Sequence, residues 1–156
     1  MIDENLKQLV AGLRAGRPDF TVPPVEARAG FEAMLSTLPV AADVEISIAN
    51  LGSVPGLRIS TPGASTDAAL LYLHGGAYIA GSAQGYRSLA AEIGRAAGLT
   101  TYAIDYRLAP EHRFPAAIDD AVTAYRELLK TGLGASRIVL AGDSAVRTVT
   151  DRKSTS

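Results

Sequence analysis

The sequence predicts an α/β fold with a mainly parallel sheet, because strand-like and helix-like segments alternate from residue 68 onward. Short runs at 68–73, 100–104 and 138–141 are typical of strands that are buried on both faces. Between these runs, residues 84–97 and 115–130 carry apolar side chains at helical spacings. Strand, helix, strand, helix, strand is the order expected when parallel strands are joined by helical crossovers.

Two helices are predicted ahead of the first strand. Residues 2–15 place apolar side chains three and four positions apart, and residues 23–38 form a second helical stretch that opens on two prolines. Because both precede every strand, the sequence predicts cap helices over residues 1–40 and an incomplete α/β core over 41–145. The polar remainder, 146–156, is rich in Ser and Thr and is predicted to be an atypical, disordered tail.

A β-hairpin is predicted between the cap and the core. Residues 44–48 alternate apolar and polar side chains, which is the period of a half-buried strand. A Gly-Ser-Val-Pro-Gly turn at 52–56 then leads into a second strand at 57–60. Residues 61–67, TPGASTD, are predicted to form an exposed loop.

The composition excludes several classes of function. The 156 residues are 47% hydrophobic and 20% charged, with a net charge of −1, so no basic surface for nucleic acid is expected. No apolar run approaches the roughly 18–20 residues of a membrane span, and the acidic start does not resemble a signal peptide, which favours a cytoplasmic protein. The chain has no cysteine and two histidines, His74 and His112, so thiolate-metal sites are excluded.

His74, Gly75 and Gly76 directly follow the strand predicted at 68–73. Open α/β sheets bind their ligands at the carboxyl ends of parallel strands, where this triplet lies. Two successive glycines let the backbone turn so that amide N–H groups point at one spot, and such donors stabilise the oxyanion of an acyl transfer. The alternative is a glycine turn that only leads out of the strand.

Ser144 stands in the corresponding position after the strand predicted at 138–141, within the segment GDSA. Small flanking residues between a strand and a helix suit a strained elbow that exposes the serine Oγ. The elbow pattern G-x-S-x-G matches at Gly142 and Ser144 and fails at Val146. A simple turn is the alternative, but the HGG triplet 70 residues earlier in an α/β pattern favours a nucleophile.

Three segments together resemble one family. LYLHGGAY, DYRLAPEHRFPAAIDDA and GDSA occur in the order and at about the spacing found in the hormone-sensitive-lipase-like (GDXG) family of α/β-hydrolase carboxylesterases. The resemblance covers residues 1–145 and is to the N-terminal portion of that family. It implies an α/β-hydrolase fold with strand order 1-2-4-3-5-6-7-8, hydrolysis of short-chain acyl esters and no cofactor or metal.

The resemblance also implies roles for individual residues. Ser144 would be the nucleophile, and the N–H groups of Gly75, Gly76 and Ala145 would form the oxyanion hole. His74 would be structural and orient the loop, not act as the general base. Asp143 would be a turn residue and not the acid of the catalytic triad.

His112 lies in the segment PEHRFP and resembles a motif that braces the region under the active site. It is therefore predicted to be structural, and its neighbours Glu111 and Arg113 could pair with it or with Arg107. Among the nearby carboxylates, Asp105 is predicted to hold Arg107 or a backbone N–H. Asp119 and Asp120 lie on a predicted helix. One of them is predicted to face solvent and the other to cap the helix or pair locally.

A serine nucleophile needs a base and an orienting acid, and in α/β-hydrolases both follow the serine along the chain. The twelve residues after Ser144 contain Asp151 and no histidine. We therefore expect a truncated hydrolase that is weakly active or inactive as this chain, acting on a small ester. Two alternatives are a non-catalytic remnant that binds a small acyl or carboxylate ligand, and a fragment that needs a partner chain. The sequence does not determine the oligomeric state.

Overall fold

Five strands form one mixed sheet in the order β1-β2-β4-β3-β5 in the computed structural model, which describes residues 4–15 and 21–144. The strands are β1 (Glu45–Leu51), β2 (Val54–Ser60), β3 (Ser65–Leu73), β4 (Leu99–Ile104) and β5 (Ile138–Gly142). The helices are α1 (Glu4–Ala15), α2 (Pro24–Ser36), α3 (Arg87–Ala97) and α4 (Ala116–Lys130), and a 3₁₀ turn, Ala135–Arg137, precedes β5. The predicted α/β fold is confirmed, and the strand order is the one that the resemblance implies for its first five strands.

The three parallel strands end level with one another. In the register of the sheet, Leu73 lies opposite Ile104 of β4 on one side and opposite Gly142 of β5 on the other. The residues that follow these strands therefore leave the sheet at a single edge. This is the edge at which open α/β sheets bind ligands.

Helices cover the sheet on both faces. On one face Ala124 and Leu128 of α4, both fully buried, pack against Leu71 of β3. On the other face α3 and α2 pack together against β3 and β4, with Phe31 and Leu35 of α2 in the same apolar cluster. Helix α2 is thus part of the packed core, although it precedes the first strand.

Two predicted turns are shorter than expected. The hairpin turn contains only Gly52 and Ser53, because Val54 already pairs with Leu51. The loop predicted at 61–67 ends early, since β3 begins at Ser65, which pairs with Leu99 before an irregularity in the register. Polar residues occur in this first part of β3 because several of its side chains are exposed.

No helix within 4–15 and 21–144 is long and apolar enough to cross a membrane. The tail predicted at 146–156 lies outside the described residues. The division into a cap over 1–40 and a core over 41–145 stays a prediction.

Candidate active site

Ser144 follows β5 and has an exposed side chain. Its φ is 57°, in the left-handed region, which few residues other than glycine adopt. Such a conformation costs of order 1–3 kcal/mol and persists only where the surrounding structure imposes it. The serine therefore stands on a strained, outward-facing turn, as an elbow nucleophile does.

The loop that begins with His74 lies directly against this turn. A Cβ added to Gly75 would lie 2.2 Å from Oδ2 of Asp143 and 3.0 Å from Cβ of Ser144. Only a residue without a side chain fits at that distance. The two segments that the sequence singled out, 70 residues apart, are thus in contact.

The Asp143 carboxylate joins the two loops. Its Oδ1 accepts hydrogen bonds from the Gly75 N–H at 2.7 Å and from the Tyr72 hydroxyl at 2.8 Å. Its Oδ2 accepts a longer one from the Tyr86 hydroxyl, at 3.2 Å. Burial, followed by the charge of Asp143, raises the pKa of both phenols, so that both hydroxyls stay protonated and donate.

This carboxylate also binds one of the predicted oxyanion donors. The Gly75 N–H, predicted to be one of them, already donates to Asp143. Among the residues that the structure describes, none accepts a hydrogen bond from the N–H of Gly76 or of Ala77. Ala145, the third predicted donor, lies outside the described residues.

The backbone after Gly75 turns through three successive residues with positive φ. These are Gly76 at 118°, Ala77 at 55° and Tyr78 at 62°. The turn closes when the N–H groups of Ile79 and Ala80 both donate to the Gly76 carbonyl, each at 3.0 Å. We call residues 76–80 the strained turn.

His74 is almost completely buried beneath this turn, with its ring stacked on Tyr106 at a centroid distance of 4.2 Å. Its Nδ1 lies 2.8 Å from the Gly75 carbonyl, which can only accept, so Nδ1 carries the proton. The Tyr106 hydroxyl in turn donates to the His74 carbonyl. Burial lowers the pKa of His74, which favours the neutral ring.

The buried neutral imidazole predicts a pH dependence of stability. An unfolded histidine has a pKa near 6.5, so below that pH the unfolded chain takes up a proton that folded His74 does not. The free energy of unfolding should therefore fall between pH 6.5 and 5, by up to about 1.4 kcal/mol per pH unit. Urea unfolding of His74→Gln should show a flatter slope than the wild type in this window. Equal slopes for His74→Gln and the wild type would contradict the argument.

The polar residues after β4 have partners that the sequence only partly predicts. Asp105 accepts a hydrogen bond from the Ala83 N–H at 2.6 Å, which confirms one of the two expected roles. Arg107 pairs with Asp120 through several hydrogen bonds, the shortest at 2.8 Å, and donates its backbone N–H to the same carboxylate. Burial alone would raise the pKa of Asp120, but the hydrogen bonds from Arg107 outweigh it and lower the pKa. Asp119 is exposed, as expected for one of the pair.

Glu111 was expected to pair with His112 or Arg107, and the structure pairs it with Arg28 of α2 instead, at 2.6 Å. His112 has an exposed side chain, and its backbone N–H donates to the Leu108 carbonyl. The difference arises because α2 packs across this loop, which no local pattern in the sequence indicates.

The two tyrosines that hold Asp143 were not predicted from the sequence. One signal was present: Tyr72 interrupts a wholly apolar strand, and a buried phenol usually has a hydrogen-bond partner. Tyr86, just before α3, carries no such signal. Within the described ranges, no group of three or more His, Cys, Asp or Glu side chains could hold a metal ion.

The order of the strands, the strained serine and the adjoining glycine loop are those of an α/β-hydrolase. Comparison with known proteins agrees, since a family described as having the alpha/beta hydrolase fold matches residues 70–145. An esterase from the bacterial hormone-sensitive lipase family superposes with a TM-score of 0.89 at 37% identity, over 96% of this chain and 50% of that one. The chain belongs to the hormone-sensitive-lipase-like family and corresponds to its N-terminal portion.

Two curated relatives show the same partial match. The ethyl acetate hydrolase of Pseudomonas putida is 36% identical over 155 residues, which are 89% of this chain and 49% of the relative. An acetyl-hydrolase of Streptomyces hygroscopicus is 46% identical over 105 residues, 62% of this chain and 35% of the relative. The chain spans about half the length of such relatives or less.

Proposed function

We propose that the protein hydrolyses carboxylic esters of small acyl groups through an acyl-enzyme at Ser144. The observation that carries this proposal is the contact between the glycine loop and the strained serine, which brings a nucleophile next to backbone N–H donors. Relatives named acetyl-hydrolase and ethyl acetate hydrolase support an ester with a short acyl chain.

In the proposed reaction, Ser144 Oγ gives its proton to a general base and attacks the ester carbonyl, whose π electrons move to the oxygen of the tetrahedral intermediate. The intermediate collapses by expelling the alcohol, which takes up that proton, and water then hydrolyses the acyl-enzyme. We assign the stabilisation of the negative oxygen to the N–H groups of Gly76 and Ala77, together with that of Ala145 as the resemblance implies. The Gly75 N–H, which binds Asp143, has a positioning role in this scheme. Removing one oxyanion donor typically lowers the rate on the order of 10²–10³-fold.

Neither histidine of the chain is assigned the role of general base. His74 is buried with its Nδ1 on a carbonyl, and His112 lies in the loop before α4. Loss of the triad histidine costs a serine hydrolase on the order of 10⁶ in kcat. From a typical value of about 10 s⁻¹, we therefore expect about 10⁻⁵ s⁻¹ from the 156-residue chain alone.

Hydrolysis of p-nitrophenyl butyrate tests this proposal in two settings. For the chain alone, we expect a rate near background. For a fusion in which residues 1–144 replace the matching part of the Pseudomonas putida relative, we expect turnover, and Ser144→Ala should reduce it by about 10⁶-fold. A folded fusion in which Ser144→Ala keeps the activity would refute Ser144 as the nucleophile. Circular dichroism of both fusions is the control for folding.

A further inference from the structure

We propose that Arg28 of α2 is a positioning residue that holds the strained turn, residues 76–80, in the conformation that presents the Gly76 and Ala77 N–H groups. This inference rests on the proposed function, because it concerns the donors assigned to the oxyanion. It assigns to helix α2 a contact that fixes the strained turn.

The guanidinium group of Arg28 donates to three acceptor groups, two backbone carbonyls and one carboxylate. Its Nε donates to the Ile79 carbonyl at 2.6 Å, and its Nη2 donates to the Ala109 carbonyl at 2.8 Å. The Glu111 carboxylate accepts from Nη1 at 2.9 Å and from Nη2 at 2.6 Å. One planar group thus fastens the strained turn to the loop after β4, a geometry that the fixed fork of arginine allows and a lysine ammonium does not.

The strained turn needs such support. Ala77 and Tyr78 both have φ near 60°, and each costs roughly 1–2 kcal/mol relative to a right-handed conformation. Arg28 acts on the turn directly at Ile79, and indirectly through Ala109, whose N–H donates to the Tyr78 carbonyl at 2.8 Å. The first contact fixes the carbonyl of Ile79, and the second fixes the carbonyl of Tyr78.

Helix α2 contacts the same turn again, about one helical turn after Arg28. A Cβ added to Gly76 would lie 3.3 Å from Cε1 of Phe31, three residues after Arg28 and therefore on the same helix face. Glu32 also accepts a hydrogen bond from the Ser82 hydroxyl at 2.9 Å. The helix is therefore fixed beside the turn, and Arg28 extends from a fixed base.

Glu111 aligns the guanidinium but is not the main support. The hydrogen bond from Arg28 lowers the pKa of Glu111 to about 2, so the carboxylate is charged at neutral pH. Its side chain is 51% exposed, and exposed ion pairs contribute little to stability. The two carbonyl contacts of Arg28 should therefore matter more than its ion pair.

Amide hydrogen exchange of the full chain tests this inference, because exchange at Ile79 and Ala80 reports whether their bonds to the Gly76 carbonyl persist. We expect Arg28→Ala to accelerate exchange at these two amides by about tenfold or more, the effect of losing hydrogen bonds to a charged donor. Arg28→Lys should give nearly the same acceleration, and Glu111→Gln a smaller one. The matched control is Arg95→Ala on α3. It breaks a bidentate pair with Asp43, at 2.7 and 3.0 Å, and should leave the exchange rates of both amides unchanged.

A purely structural role for Arg28 gives a different pattern. If the arginine only fastened α2 to the core, Arg28→Lys would keep the pair with Glu111 and restore wild-type exchange at Ile79 and Ala80. That result, or unchanged exchange in Arg28→Ala, overturns the inference. Should Arg28→Ala not fold, Arg28→Lys and Glu111→Gln decide it. Exchange is measured without turnover, so a folded fusion that failed to hydrolyse the ester would refute the proposed function and leave the position of the turn to be judged separately.

Discussion

Replacing Gly76 with alanine should lower the free energy of unfolding by about 2–6 kcal/mol and abolish any ester hydrolysis. The φ of 118° at this position is one that L side chains rarely adopt, which by itself costs of order 1–3 kcal/mol. In addition, the new Cβ would lie 2.2 Å from the carbonyl oxygen of Ala80, whose backbone must move to make room. Overpacking of this kind costs typically a further 1–3 kcal/mol.

The chain offers a control that separates these two contributions. Gly98 also has positive φ, at 66°, but a Cβ added there would meet nothing within 4 Å. Gly98→Ala should therefore cost only about 1–2 kcal/mol, the conformational contribution alone. Urea unfolding of both variants measures the difference. If Gly76→Ala were no less stable than Gly98→Ala, the close approach of the strained turn to itself would be refuted.

The parallel core was predictable because burial on both faces leaves a continuous apolar run. The strands at 68–73, 100–104 and 138–141 were each found within one or two residues of their predicted bounds, apart from the early start of β3. The prediction of a turn at 52–56 was partly wrong, because Gly56, its second glycine, lies within β2. A Cβ on Gly56 would lie 2.2 Å from the Ala103 carbonyl oxygen, so this glycine marks a close approach of β2 to β4, not a bend.

The candidate site was predictable only as far as its motifs are local. Ser144 and the HGG triplet could be identified because an elbow and a donor loop each need particular residue types in sequence. Which N–H groups of the loop are free depends on the Asp143 carboxylate, 68 residues from Gly75. That information lies in the packing of β3 against β5, and the motif alone does not show that the Gly75 N–H donates to Asp143.

The supporting residues were not predictable for the same reason. Arg28 and Glu111 are 83 positions apart, and Tyr86 and Asp143 are 57 apart. Neither pair has a local pattern, since each depends on how a helix or loop crosses the end of the sheet. Residues that perform chemistry are thus easier to find in the sequence than the residues that position them.

Removing the Asp143 carboxylate should have the second large effect, a loss of about 3–5 kcal/mol in the free energy of unfolding for Asp143→Ala. The reason is an asymmetry in hydrogen bonding: a buried donor left without an acceptor costs about 1–3 kcal/mol, whereas removing both partners can be nearly neutral. Asp143→Ala leaves the Gly75 N–H and the Tyr72 and Tyr86 hydroxyls without their acceptor. Asp143→Asn keeps one oxygen and should lose less, about 1–3 kcal/mol.

Tyr72→Phe provides the converse test within the same network. It removes one donor and leaves the carboxylate with two others, so it should cost no more than about 1 kcal/mol. Asp67→Ala, at an exposed carboxylate of β3, is the control for the loss of a charge and should stay within about 0.5 kcal/mol of the wild type.

Urea unfolding should thus rank the losses as Asp143→Ala, then Asp143→Asn, then Tyr72→Phe. If Tyr72→Phe were as damaging as Asp143→Ala, the phenol and not the carboxylate would be the centre of the network. Since the same carboxylate holds Gly75 against Ser144, the stability of this network and the geometry of the proposed oxyanion site should be lost together.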